Sequence, residues 1–199
     1  MAGLHHDLAR ICAINGIPVE VDRPQPWLSR SGHLSELVRT AAPGDVIDAI
    51  ATIHRVLGGD EVRLARHASG TPSAPDLVHT ELGCIIEIDE LPHFTSVRRS
   101  TFARYPAATS LGFDLGQYLE MIDTHYEAAD AILAREKPRD FPVPAGRQAQ
   151  RAYQDALRDL LAPVFTGYPV IRIPVPDHSL SGVLPRLRAA IEALAEPTG

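Results

Sequence analysis

The stretch Pro75-Asp76-Leu77-Val78-His79-Thr80-Glu81-Leu82-Gly83-Cys84-Ile85-Ile86-Glu87-Ile88-Asp89-Glu90-Leu91-Pro92-His93 decides how this chain is read. From Gly83 to Asp89 it has the alternation of a strand that is apolar on both faces. Cys84, Ile86 and Ile88 point one way, and Ile85, Glu87 and Asp89 the other. Side chains two apart on a strand stand roughly 7 Å apart on one face. Two carboxylates so placed on an apolar strand repel each other and are costly to desolvate. A cation between them, or a proton on one, relieves both problems. Asp76 opens a short apolar segment, Leu77-Val78, that can pair with the strand through a turn around Thr80 to Gly83. Hard carboxylate oxygens with no nearby cysteine pair suit Mg²⁺ or Mn²⁺ rather than zinc. The same residues also have a purely structural reading, in which Asp76 caps a turn and Glu87 is ion-paired to an arginine.

Upstream of this stretch, Leu4, Leu8, Ile11, Cys12 and Ile14 give residues 4–15 the pattern of an amphipathic helix ended by Asn15-Gly16. Three prolines and Trp27 make Pro18 to Gly32 an irregular arm. A helix is expected over Leu34 to Thr40, and a stronger one from Pro43, with Val46, Ile47, Ile50, Ile53 and Leu57 on one face and Gly58-Gly59 as its stop. Alternation of Val62 and Leu64 with charged neighbours predicts a strand from Glu61 to His67. Ser69 to Ala74 is a turn-rich link.

Downstream, helices are expected over Val97 to Tyr105, from Leu115 to Leu133, and, with the clearest stripe, from Arg147 to Leu161. Between the last two, Lys137 to Gly146 holds three prolines and reads as a loop. Tyr168 to Val175 reads as a strand near a sheet edge because of Pro169 and Pro174, and Val183 to Leu194 as a final helix. From Pro43 onward the order is helix, three strands, helices, strand, helix. This predicts an α/β fold with a mixed four-stranded sheet flanked by helices. Residues 1–42 form an N-terminal helical arm and residues 43–199 the main domain, with a helical insertion over 95–140.

Composition bounds the function. The 199 residues are 45% hydrophobic, enough for one substantial core, and the formal charge of −6 gives no global basic field to draw the molecule to nucleic acid. Eighteen of the nineteen basic residues are arginine, Lys137 being the single lysine. The two cysteines, Cys12 and Cys84, sit in apolar patterns as small buried hydrophobes, which fits a reducing compartment. No run approaches the roughly 18 apolar residues of a membrane span, and the N-terminus lacks a signal-peptide core. A cytoplasmic protein with no membrane partner is expected. His5-His6, His54, His67, His79 and His125 show no ligand pair four residues apart and no cysteine partner, so zinc binding by them is not expected.

The element order, with carboxylates on the second and third strands, resembles the core of the PD-(D/E)XK, or restriction-endonuclease-like, nuclease superfamily. Pro75-Asp76 resembles the "PD" and Glu87-Ile88-Asp89 the "(D/E)XK", with Asp89 where the lysine would stand. The spacing of Asp76, Glu87, Asp89 and His93 is similar to that of the very-short-patch-repair-like branch. The whole chain also resembles an uncharacterised bacterial family with a Glu-x-Asp-Glu-x-x-His-Phe-Thr motif and a later Gly-Arg-Gln-x-Gln-Arg-Ala-Tyr motif, here Gly146 to Tyr153; that likeness implies no activity. The superfamily resemblance implies a metal-dependent nuclease acting on DNA, in repair or in defence against foreign DNA. Asp76, Glu87 and Asp89 would be Mg²⁺ or Mn²⁺ ligands, and catalysis would fall to them and His93. The alternative it leaves open is a catalytically inactive nuclease-fold domain that binds nucleic acid or a protein.

His93, just past the strand, is placed to orient or deprotonate a metal-bound water. On the helix from Arg147, the residues Arg147, Arg151, Gln154 and Arg158 fall within about 60° of one another, opposite the apolar stripe, and can track phosphates. Arg98 and Arg99 lie close in sequence to the site and are further candidates for DNA contact. Arg172, on the last strand, is the candidate to neutralise a buried carboxylate. Glu90 is expected to face solvent. Cutting at a palindrome would call for a homodimer.

Overall fold

The computed structural model describes residues 3–66, 71–134 and 138–195. The N-terminal part comprises helix α1 (Leu4–Ile14), strands β1 (Val19–Val21) and β2 (Gln25–Ser29), and helices α2 (Glu36–Ala41), α3 (Gly44–Val56) and α4 (Glu61–Arg66). Three strands follow: β3 (Pro72–Ser73), β4 (Leu77–His79) and β5 (Ile85–Glu90). After a 3-10 turn at Leu91–His93 come helices α5 (Ser96–Phe102), α6 (Leu115–Leu133) and α7 (Gly146–Thr166), then strand β6 (Ile171–Val175) and helix α8 (Val183–Ala195).

The main sheet is four-stranded and mixed, in the order β1-β4-β5-β6. Strands β1 and β4, and β4 and β5, pair antiparallel, whereas β5 and β6 run parallel. This is the expected α/β arrangement with one substitution. The first strand of the sheet is β1, inside the stretch read as an arm, and not Glu61 to His67.

Two local causes explain the exchange. Asp60 accepts a hydrogen bond from the Arg63 amide at 3.0 Å and its carbonyl accepts from Leu64, so Glu61–Arg66 is capped as a helix. Val62 is 64% exposed, so the alternation there is not that of a half-buried strand; His67 lies outside the described residues. At β1, Pro18 and Pro24 flank a three-residue strand, and an edge position tolerates them because it needs ladder bonds on one side only. Residues 4–42 are thus built into the body of the protein: β1 closes the sheet, and Leu8 and Cys12 of α1 are fully buried against it.

The sheet separates two apolar layers. On one face Leu77, Cys84, Ile86, Ile88, Ile171 and Ile173 pack against α1 and α8. On the other, Val78 and Ile85 pack against α3 and α7 through Ile50, Ile53, Ala149, Ala156 and Leu160. Full burial of each β5 isoleucine contributes about 1.5–3 kcal/mol, which fixes the register of that strand. The same register turns Glu87, Asp89 and Arg172 toward α7.

Helix α7 is the central helix, and even much of its polar side is covered: Gln148, Asp155 and Asp159 are buried. It ends where Gly167 adopts φ 77° and its N–H donates to the Pro163 carbonyl. Opposite its N-terminal half the short β2–β3 pair lies over the sheet, tied down by the Gln154 side chain, which donates to the Arg30 carbonyl at 3.1 Å. Among the described residues no helix is long and apolar enough to cross a membrane.

Candidate functional site

A cleft of about 510 Å³ opens between the ends of β4 and β5, the polar side of α7, and the β2–β3 pair. Asp76, Glu87, Ile88, Glu90 and His93 form its floor and one end. Arg147, Gln150, Arg151, Gln154 and Arg158 line it from α7, and Arg30 and Ser73 from the other side. The arginine stripe and two of the three predicted carboxylates are therefore brought into one concavity. Glu90 lines it as well, and accepts from or shares a proton with His178 Nδ1 at 2.9 Å.

Asp76 and Glu87 come together through strand pairing. Leu77 faces Ile86 in the β4–β5 ladder, so Asp76 and Glu87 are the next opposed pair and point to the same side. Asp76 Oδ2 accepts from the Ile88 amide at 2.8 Å, extending the pairing by one side-chain bond. Glu87 is 4% exposed. Arg158 Nε lies 2.9 Å from its Oε1, yet the two do not meet in hydrogen-bonding geometry, and both atoms are buried without a hydrogen-bond partner. Burial pushes the Glu87 carboxyl up to about 8, with Asp76 adding to the rise and Arg158 and Arg172 opposing it. Burial likewise raises Asp76, against the Ile88 hydrogen bond. Burial is thus the first cause at both carboxylates, and it favours their neutral forms over the opposition of Arg158.

Asp89 is placed differently. Although it shares the strand face with Glu87, it is fully buried beneath the cleft and does not line it. Arg172 Nη1 donates to its Oδ1 at 2.8 Å and to its Oδ2 at 3.1 Å, and the Tyr118 hydroxyl donates to Oδ2 at 2.7 Å. Arg172 does neutralise a buried carboxylate, and in fact bridges several: its Nε donates to Asp159 Oδ1 at 2.8 Å and its Nη2 to the Asp155 carbonyl at 3.1 Å.

Arg98 completes this network. It is fully buried, with its guanidinium on Asp159, Thr101 and the Tyr105 hydroxyl. Thr95 caps α5 by accepting from the Arg98 amide at 3.0 Å, and that helix turns Arg98 inward against α7. The expectation that Arg98 touches DNA is corrected: no duplex can reach it. Arg99 points outward, but onto Asp123 of α6 at 2.7 Å, away from the cleft.

His93 links the two regions. Its Nδ1 lies 3.0 Å from Asp155 Oδ2 and 3.4 Å from Asp89 Oδ1, which leaves Nε2 as the nitrogen available to the cleft. Burial works against the imidazolium, but Asp155 and Asp89 outweigh it and raise the His93 pKa above its ordinary value. Asp155 is held well below the usual carboxylate range because His93 and Arg172 overcome its burial. Asp155 was not among the expected site residues. The signal for it is the polar side of α7, where Asp155 and Asp159 stand four apart and so share a helix face.

The residues fit a divalent cation in part. Glu87 Oε1 is an orphaned buried acceptor beside a second carboxylate, Asp76, in an open cleft, whereas both oxygens of Asp89 are taken. Among the described residues, the set of three His, Cys, Asp or Glu side chains whose ligand atoms all lie within 4.8 Å of one another is His5, His6 and Asp22, not Asp76, Glu87 and Asp89. Comparison with protein-family models, with curated proteins and with solved structures finds no match to this chain.

Proposed function

We propose that this protein is a metal-dependent nuclease, with DNA as its substrate, that works in the cleft between β5 and α7. One observation carries the reading: Asp76, Glu87 and His93 line the same concavity as Arg147, Arg151 and Arg158. Carboxylates that lack compensation suit a cation, and a file of arginines on one helix wall suits successive phosphates.

Asp76 and Glu87 would hold Mg²⁺ or Mn²⁺, which when bound supplies an activated water and stabilises charge developing on the phosphate. Arg147 and Arg151 grip the phosphodiester backbone and set its register in the cleft. Arg158 leaves Glu87 for a phosphate oxygen once the carboxylate has a better partner; its Nε has no hydrogen bond to lose. His93, kept in its charged form by Asp155 and Asp89, is suited to donate a proton from Nε2 to the leaving oxygen. That differs from the base role expected for it. Asp89 holds Arg172 and His93 in place; it does not reach the reacting atoms.

Supercoiled and linear DNA incubated with Mg²⁺ or Mn²⁺ tests the reading. Nicking or degradation that EDTA abolishes, and that Glu87→Gln removes without loss of folding, supports it. The second reading is a catalytically inactive nuclease-fold module that binds nucleic acid or a protein. It is favoured by the 2.9 Å approach of Arg158 to Glu87 and by Asp89, which stands in place of the motif lysine. Salt-dependent DNA binding with no cleavage under any divalent ion would select it.

A further inference from the structure

The histidines at the start of α1, His5 and His6, acquire a partner that lies seventeen and sixteen residues away in sequence. His6 Nε2 is 3.8 Å and His5 Nε2 3.9 Å from Asp22 Oδ2, and the three ligand atoms all lie within 4.8 Å of one another. The arrangement is anchored on both sides. One turn beyond the histidines, Leu8 and then Cys12 are fully buried in the core under the sheet, which fixes the start of α1. Asp22 directly follows β1 and turns out of it with φ 51°, a left-handed conformation that aspartate tolerates better than most residues.

The strand register places this group beside the cleft. Val21 faces Leu77 in the β1–β4 ladder and Leu77 faces Ile86 in the β4–β5 ladder, so Asp22, Asp76 and Glu87 follow at one end of three neighbouring strands.

The chemistry of the two clusters differs. Asp76 and Glu87 offer only oxygen, which suits hard Mg²⁺ or Mn²⁺. Two imidazoles and a carboxylate suit a borderline ion such as Zn²⁺. With bonds of about 2.1 Å to each ligand, tetrahedral donors stand about 3.4 Å apart. The observed 3.8 and 3.9 Å close to that by small rotations of side chains that are 28%, 41% and 64% exposed. That exposure leaves the remaining coordination positions to water, as in open rather than structural zinc sites. As bare His–Asp pairs at the surface, the same contacts would contribute little to stability.

We infer that His5, His6 and Asp22 form a binding site for a borderline transition-metal ion, with Zn²⁺ as the reference, at the β1 side of the cleft and separate from the Asp76–Glu87 pair. The inference does not rest on the nuclease reading, because it is tested by metal binding to the full chain without DNA. After EDTA treatment and dialysis, titration calorimetry should show one Zn²⁺ bound per chain at low micromolar concentration, with excess Mg²⁺ present. Co²⁺ should give the visible absorption of a nitrogen–oxygen site. Asp22→Asn should weaken Zn²⁺ binding by about tenfold or more, by analogy with other groups that tune a metal's ligands, and His6→Ala should abolish it. Both variants should melt within a few degrees of the parent in the absence of metal. No Zn²⁺ heat from the parent would overturn the inference. Binding unchanged in Asp22→Asn would overturn it equally, since any pair of neighbouring histidines could then account for it.

Discussion

Two charged regions lie on the same side of the same sheet, a few residues apart on β5 and α7, and they are built on opposite rules. Beneath α7, Arg172 and Arg98 face Asp89, Asp155 and Asp159, with Tyr105, Tyr118 and His93 filling the remaining bonds. Every carboxylate there has an arginine or histidine against it. In the cleft, Glu87 and Arg158 approach each other without a proper hydrogen bond, and Asp76 and Glu87 both resist ionisation. Three buried aspartates are fully partnered in the first region, whereas in the second Glu87 Oε1 has no hydrogen bond and Asp76 accepts only from the Ile88 amide. The first region is a frame that also orients His93, whose Nδ1 it holds through Asp155 and Asp89 while the ring lines the cleft.

The comparison predicts where substitutions cost stability and where they cost binding. The largest effect is expected in the frame. Arg172→Leu leaves Asp89 buried without its arginine and Asp159 with Arg98 alone, and should destabilise by about 3–5 kcal/mol in urea unfolding. A loss below about 1 kcal/mol would mean that the network is not a frame at all.

The second effect has the opposite sign. The Glu87 pKa is raised on folding, from its ordinary 4.5 to about 8. Its favourable contribution is complete below the unfolded value and is lost as pH climbs through the window between the two. In EDTA, the parent should therefore lose stability from about pH 5 to pH 8 relative to Glu87→Gln. At about 1.4 kcal/mol per pKa unit the difference is on the order of a few kcal/mol. The Gln variant should melt at the same temperature or higher at pH 8 and should not cleave DNA. A variant that melts lower than its parent across the whole range would make Glu87 a structural partner of Arg158 and sharpen the second reading.

The third effect concerns binding. Arg147→Ala together with Arg151→Ala removes two cleft arginines and no core packing, so stability should change by less than about 1 kcal/mol. DNA affinity should fall, and the slope of log affinity against log salt should flatten by roughly two units. An unchanged slope would place the phosphate path elsewhere. The smallest effect is expected for Arg99→Ala, which loses one exposed pair with Asp123. It should alter stability by no more than about 0.5 kcal/mol and leave DNA affinity unchanged.

How much of this was legible in the sequence depends on whether the signal was local. The isoleucine alternation of β5, the stripe of α7 and the pairing of Asp76 with Glu87 are read from residues near one another, and the structure keeps them. The role of β1 was not legible, because three residues between prolines carry no periodicity, and pairing with β4 arises from contacts some sixty residues apart in sequence. Glu61–Arg66 failed for the converse reason: six residues can show a period of two by chance while Asp60 caps them as a helix. The division of the charged residues was beyond sequence reasoning altogether. Asp89 and Glu87 share a face and are both buried, yet Asp89 is taken up by Arg172 and Tyr118 while Glu87 lines the cleft; of the neighbours Arg98 and Arg99, one is buried on Asp159 and the other turned onto Asp123.

The central claim is that Asp76 and Glu87 hold a divalent cation in the arginine-lined cleft. Anomalous diffraction from a crystal of the full chain soaked in Mn²⁺ tests it most directly. The account predicts a peak between these two carboxylates at about 2.1–2.3 Å from an oxygen of each, with Arg158 displaced from Glu87 and Asp89 still on Arg172. A crystal with no manganese in the cleft, and with Arg158 still closed on Glu87, would contradict it.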